Sequence, residues 1–291
     1  MGRELAHAFP EALETFQEAD EILGFHLTRI AWEGPSEELT LTKNAQPALL
    51  VHSVAVHRVI GGELGDVAMA AGHSLGEFSA HVAAGTMSFG EALGAVRLRG
   101  DLMFASGIER PGAMAAILGL EEHVVEEVCR TVTEQGAICV PANFNSAGQV
   151  VISGEVQGVD QAMDRAKEAG ARRALPLTVS GAFHSPLMES AKMGLREGLE
   201  RIKFSDPRYP VVSNVTAAPV SDAGTARELL VEQLTSPVRW VASVERMVSD
   251  GATRFFELGT GSVLSGLNKR NAKGFPCMAL GEPKDCDDLD R

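Results

Sequence analysis

Along the first 23 residues, Leu5, Phe9, Leu13, Phe16, Ala19 and Leu23 recur at intervals of three and four. That period lays apolar side chains on one face of an α-helix, and Pro10 marks a break or a fresh first turn. The period returns over residues 46–60 with Leu49, Leu50, Val54 and Val59, and residues 91–104 read as a further helix. Residues 67–71 are instead a short apolar run that breaks at Gly72-His73-Ser74-Leu75-Gly76 and passes into 77–84, which has helical composition. The pattern there is strand, tight turn, helix.

From Gly112 the texture changes. Strands are predicted over 113–118, 137–142, 149–153 and 172–179, helices over 121–134 and 156–169, and a turn at Asn145-Ser146-Ala147-Gly148. The order βαββαβ predicts a ferredoxin-like subdomain at residues 112–179, hinged at Pro111-Gly112 and Ser180-Gly181 and covering one side of the Ser74 turn. Residues 1–111 and 180–291 are then the two parts of the core. In the second part, strands at 209–213, 254–258 and 277–280 alternate with helices from Leu187 onward and at 226–234, 241–250 and 262–269. Alternation of this kind predicts an α/β fold whose mostly parallel, doubly wound sheet carries its active groups at the carboxyl ends of strands.

The candidate chemistry sits at the turn. A G-x-S-x-G string is short, and with 30 glycines in 291 residues chance alone supplies about 0.2 matches. Context gives it weight, because an apolar strand before and a helix after are what a nucleophile elbow requires. The flanking glycines Gly72 and Gly76 are expected where side chains would collide, and the Leu75 N–H, at a helix N-terminus, is placed to bond an oxyanion. His184, in the loop Ser180-Gly181-Ala182-Phe183-His184-Ser185, is the candidate base, one of 8 histidines and favoured by its loop position. For Arg97 and Arg99, on an apolar helix, a surface or structural role is the simpler reading.

Composition removes several classes. The chain is 45% hydrophobic and 22% charged, without an apolar run long enough for a membrane span or a basic-then-apolar leader, so a cytoplasmic protein is expected. The 4 cysteines form no C-x-x-C, which suits free thiols in a reducing compartment. A net charge of -13 argues against a nucleic-acid partner. Gly259-Thr260-Gly261 after a strand lacks the third glycine of a dinucleotide fingerprint, since Leu264 stands there. His73, Glu77 and His81 have metal-like spacing but no completing ligand, so no metal is expected.

Distributed strings carry a resemblance: Gln46-Pro47-Ala48-Leu49, GHSLGE at 72–77, LRGDLM at 98–103, GAMAAILGL at 112–120, NFNSAGQVVISG at 143–154, GAFHSPLM at 181–188, Gln233-Leu234 with Pro237-Val238-Arg239-Trp240, and ELGTGSVLSGLNKR at 257–270. Over essentially its whole length the chain resembles the malonyl-CoA:acyl carrier protein transacylase family. The resemblance implies an α/β-hydrolase-like core with a ferredoxin-like subdomain, and transfer of malonyl from malonyl-CoA to the thiol of an acyl carrier protein, feeding fatty acid or polyketide synthesis. It makes Ser74 the nucleophile, His184 the base, and the main-chain carbonyl of Gln233 the group that holds the histidine tautomer. Arg99 becomes the grip on the substrate's free carboxylate, selecting malonyl over acetyl, and Phe183 a bulk against a branched malonyl. His73, Gln46 and Asn145 join the substrate-binding set.

No cofactor is implied, malonyl-CoA being a substrate, and a monomer is expected. Lys192, Arg196, Lys269 and Arg270 are the candidates for docking an acidic carrier. Family members begin with a strand and a Phe-Pro-Gly-Gln-Gly-Ser-Gln turn that is not found ahead of Met1-Gly2-Arg3-Glu4-Leu5. The expectation is therefore a trimmed or misplaced start, with Leu75 N–H left as the oxyanion donor and turnover impaired. A serine thioesterase or esterase, or an impaired carrier-docking protein, is the alternative.

Overall fold

A computed structural model describes residues 1–287 and 289. The N-terminal third is helical: α1 (Arg3–Ala8), α2 (Pro10–Leu23), α3 (Leu27–Glu33), α4 (Ser36–Thr40) and α5 (Thr42–Ile60). Pro10 opens α2 at its first turn, where no N–H is needed. Then come β1 (Ala70–Ala71), α6 (Gly76–Ala84) and α7 (Phe89–Glu109). α7 starts at a reciprocal cap, in which Ser88 Oγ accepts from the Glu91 N–H while the Glu91 carboxylate accepts from the Ser88 N–H.

The middle segment runs β2 (Gly112–Leu118), α8 (Glu122–Glu134), β3 (Cys139–Ser146), β4 (Gln149–Glu155), α9 (Val156–Glu168) and β5 (Arg173–Pro176). Its four strands form one antiparallel sheet in the order β3-β4-β2-β5. Val125, Val128 and Val132 of α8 and Val159, Ala162 and Ala166 of α9 pack with Ile117, Val150 and Ile152 of the sheet, a core of its own. The β3-β4 hairpin closes on Ala147-Gly148, with Gly148 at φ 70°, so Asn145 and Ser146 belong to the strand and not to the turn.

The remainder is a 3-10 turn (Pro186–Met188), α10 (Glu189–Glu200), β6 (Val211–Val212), β7 (Pro219–Val220), α11 (Ala223–Glu232), α12 (Trp240–Ser249), β8 (Phe255–Leu258), α13 (Val263–Asn271), β9 (Cys277–Leu280) and α14 (Pro283–Asp287). The fold is mixed α/β, but the single doubly wound sheet expected of the core is not formed among the described residues. β1 pairs parallel with β6 and β6 antiparallel with β7, while β8 and β9 make a separate parallel pair. The strands expected over 67–71 and 209–213 shrink to two residues each. Pro210 has no N–H to extend the ladder, and beyond Val212 the chain closes the β6–β7 hairpin, with the Ser213 N–H on the Ala218 carbonyl and the Ala217 N–H on the Ser213 carbonyl.

The main core joins α2, α5, α6, α7, α10 and α11 through Phe16, Leu50, Val54, Phe78, Leu93, Val96, Leu195 and Leu230. The middle segment is tied to this body by β3. Phe144 N–H donates to Val238 O at 2.9 Å, and Val238 N–H to Ala142 O at 2.8 Å. That seam puts the end of β3 beside the loop between β1 and α6. No helix among the described residues is long and apolar enough to cross a membrane.

Candidate active site

The turn from β1 into α6 is an elbow in three dimensions. A Cβ on Gly72 would stand 1.9 Å from the Gly76 carbonyl carbon and oxygen, so the strand end and helix start touch backbone to backbone. Gly76 is different: a Cβ there meets nothing within 4 Å, and the collision expected at both glycines exists at one. Ser74 takes φ 50°, the left-handed region that non-glycine residues rarely enter. A side chain from the β6–β7 turn holds it there. Asn214 Oδ1 accepts from the Ser74 N–H at 2.6 Å and Asn214 Nδ2 donates to Gly72 O at 2.7 Å, spanning the strained residue.

His184 reaches Ser74 from the loop that precedes the 3-10 turn, itself at φ 57°. Ser185 secures that loop, donating to Ala182 O at 2.7 Å and accepting from the Leu187 N–H at 3.2 Å. His184 Nδ1 faces two carbonyls, Gln233 O at 2.8 Å and Ser236 O at 3.2 Å. Carbonyls only accept, so Nδ1 carries the proton and Nε2 is bare. Nε2 lies 2.8 Å from Ser74 Oγ and accepts its hydrogen. Burial, and secondly the Arg99 charge, push the His184 pKa down to about 3, so the imidazole is neutral and able to take a proton.

Arg99 of α7 is 1% exposed. Its Nη2 donates to Ser74 Oγ at 3.0 Å and to Gln233 Oε1 at 3.0 Å, and its Nη1 donates to Gln46 Oε1. These contacts use three of the five guanidinium N–H groups, and the buried Nε has no partner among the described residues. Desolvation lowers its pKa only to about 10, so it stays charged. A fixed cation beside the serine oxygen lowers the cost of negative charge developing there, and its spare donors suit an anionic group. The Leu75 N–H, one residue past Ser74, has no acceptor among the described residues.

The remaining expected residues form an outer ring. His73 Nε2 donates to Asn145 Oδ1 at 2.8 Å and the ring lies 5.6 Å from Trp240; burial lowers its pKa and keeps it neutral. Asn145 O in turn accepts from Asn271 Nδ2 at 2.8 Å. His73 and Asn145 meet each other but neither bonds Ser74 or His184. Phe183 is half-buried, next to His184 and packed against Met114, Ala142 and Val151. Gln46 Nε2 donates to Met103 Sδ at 3.3 Å, which fixes its oxygen toward Arg99.

Three contributors were not anticipated from sequence. Asn214 clamps the elbow and Ser236 supplies a second carbonyl to His184. Glu77, 1% exposed, accepts from Gln233 Nε2 at 2.7 Å and from the Asn214 N–H at 3.1 Å. Burial pushes its pKa up to about 7 against the pull of Gln233, Asn214, Arg99 and Ser213. Only a carboxylate directly inside the GHSLGE string at 72–77, with no apparent partner in sequence, could have drawn attention to it.

A serine at a strained elbow, a neutral histidine oriented by main-chain carbonyls and a buried arginine on the serine oxygen make a site that can carry an acyl group as an ester. The acyl transferase domain family matches residues 1–281, and the chain belongs to that family. The malonyl CoA-acyl carrier protein transacylase of Bacillus subtilis (strain 168) is 45% identical over 284 residues, 98% of this chain and 90% of that protein. Its counterpart from Escherichia coli (strain K12) is 44% identical over 281 residues, 96% of this chain and 91% of that protein. Among solved structures, a malonyl-transacylase in complex with a type II PKS acyl-carrier protein superposes with a TM-score of 0.95 at 43% identity, covering 99% of this chain and 94% of that one. The acyl-carrier-protein-S-malonyltransferase from Bartonella henselae gives 0.94 at 41% identity, covering 99% and 93%.

Proposed function

We propose that the chain is a malonyl-CoA:acyl carrier protein transacylase working through a malonyl-serine ester. The observation that carries this is the contact set on one oxygen: Ser74 Oγ donates to His184 Nε2 and accepts from Arg99 Nη2. As malonyl-CoA arrives, Arg99 binds the free carboxylate and the thioester carbonyl faces Ser74. The hydroxyl proton passes to His184 Nε2 while Oγ attacks the carbonyl carbon. The resulting oxyanion is bonded by the Leu75 N–H, and its collapse expels the CoA sulfur, which takes the proton from His184. The carrier's thiol then gives its proton to His184 and attacks the ester, and Ser74 regains its hydrogen as it leaves. The Gln233 carbonyl keeps the imidazole in the tautomer both halves need.

The order β3-β4-β2-β5 with helices at 122–134 and 156–168 supports a ferredoxin-like subdomain at 112–179, within a hydrolase-like core of 1–111 and 180–291. Asn145, bonded to His73, and Phe183, next to His184, are the residues that shape the acyl pocket. Malonyl-CoA enters as a substrate and no cofactor or metal takes part; the working unit is a monomer in the cytoplasm, without nucleic-acid or membrane partners.

Intact mass spectrometry after exposure to malonyl-CoA tests the ester. The wild-type chain should gain one malonyl group and pass it to holo-carrier faster than to water. Ser74→Ala should gain nothing, and His184→Ala should acylate roughly 100-fold or more slowly. A Ser74→Ala protein that still gains the malonyl mass removes the assignment, and faster loss to water than to the carrier turns it into a hydrolase.

A further inference from the structure

Arg99 needs a counter-charge while the site is empty, and the structure supplies one at the far end of an amide. Gln233 Oε1 accepts from Arg99 Nη2 at 3.0 Å, and Gln233 Nε2 donates to Glu77 Oε2 at 2.7 Å. The amide can point in one direction only, because guanidinium donates and carboxylate accepts. Arg99, Gln233 and Glu77 are each at most 1% exposed, so cation and carboxylate sit in one dry network bridged by a polarisable group. Taking the proposed function as its premise, we infer that Glu77 is the resting counter-charge of Arg99 and takes up a proton from solvent when the substrate's carboxylate occupies that arginine.

The reason is charge balance in a low dielectric. Empty, the network holds one cation and one carboxylate. With malonyl bound it would hold two carboxylates against the same guanidinium, and an uncompensated buried charge is strongly unfavourable. The least costly relief is protonation of the carboxylate whose surroundings already oppose ionisation, and burial has pushed Glu77 up to about 7 with Arg99 unshared. Among the described residues, Arg99 is the one cation acting on Glu77. Arg99 reaches it from α7, Asn214 and Ser213 from the β6–β7 turn, and Gln233 from the end of α11. His184 and His81, with pKa values lowered to about 3 and about 4, are neutral.

Once protonated, Glu77 can still accept from Gln233, so the Gln233 main chain keeps its place behind His184. Glu77 is thus a positioning residue that adjusts the site's charge to an acidic acyl group. A neutral acyl group would call for no such proton.

Acyl transfer itself conserves protons, since hydroxyl plus thioester gives ester plus thiol. Proton uptake measured with an indicator dye in weak buffer during malonylation therefore reads Glu77. At about pH 8 the wild-type chain should take up close to one proton per malonyl-serine formed, as a group carried from near 7 to well above 8 requires. Glu77→Gln should form the ester with that uptake lost. A malonyl mass gain without proton uptake, or uptake that persists in Glu77→Gln, overturns the inference and leaves the proposed function standing. No mass gain at all removes both. Should Glu77→Gln not fold, infrared difference spectra of the wild-type chain must show the carbonyl band of a neutral carboxylic acid appearing on malonylation, and its absence also overturns the inference.

Discussion

Arg97 and Arg99 are two residues apart on α7, which at about 100° per residue turns them to opposite sides of the helix. Arg97 is partly exposed, paired with Asp101 at 2.9 Å and donating to Asn44 Oδ1 and Lys43 O. Arg99 faces inward to Ser74. If Arg99 grips the carboxylate as proposed, replacing it by alanine takes away that partner and also the buried charge that penalises neutral acyl groups. The expected outcome is a loss in kcat/KM for malonyl-CoA of roughly 30-fold or more, from about 2 kcal/mol of lost pairing, with acetyl-CoA use held or improved. Steady-state assays with both thioesters read this; an equal fall in the two would make Arg99 structural. Arg97→Ala should alter neither preference. Helical composition alone did not separate the two, because which side of a helix is dry depends on what packs against it; only the family resemblance singled out Arg99.

The elbow is the element on which the chemistry rests, and its two glycines have unequal tasks. At Gly72 a methyl group would collide with backbone, which cannot move aside without opening the turn. Gly76 has open space at the first position of α6, where alanine is the better helix former. Gly72→Ala should therefore lose about 3 kcal/mol or more of stability, while Gly76→Ala should change it by no more than about 1 kcal/mol and in the stabilising direction. Urea unfolding midpoints of the two variants compare them directly. Similar losses in both would show that the glycines act through something other than space. The G-x-S-x-G pattern presents them as equals; only the crossing of strand and helix distinguishes them.

At the scale of the whole molecule, a net charge of -13 leaves an acidic carrier few places to approach. Lys192 and Arg196 are engaged with Glu232, at 2.7 and 3.3 Å. Lys269 and Arg270 lie exposed in the last turn of α13, and the neighbouring Asn271 bonds Asn145, which bonds His73 beside Ser74. Reversing both charges, Lys269→Glu with Arg270→Glu, should raise KM for the carrier about tenfold at low salt, the effect shrinking as salt rises. Malonyl-serine should still form. An unchanged carrier KM would move the docking face elsewhere. The chain alone determined the long helices, the βαββαβ order of the middle segment and the serine of the elbow, because apolar period and glycine placement are local properties. It did not determine the length of β1 and β6, which depends on which backbone groups find a partner strand. Nor did it reveal Asn214, Ser236 and Glu77, separated from Ser74 by up to 162 positions or hidden three positions away in the same motif. Their roles arise from burial: once water is excluded, every polar group around Ser74 must find its partner within the fold, and only the tertiary structure decides which ones meet.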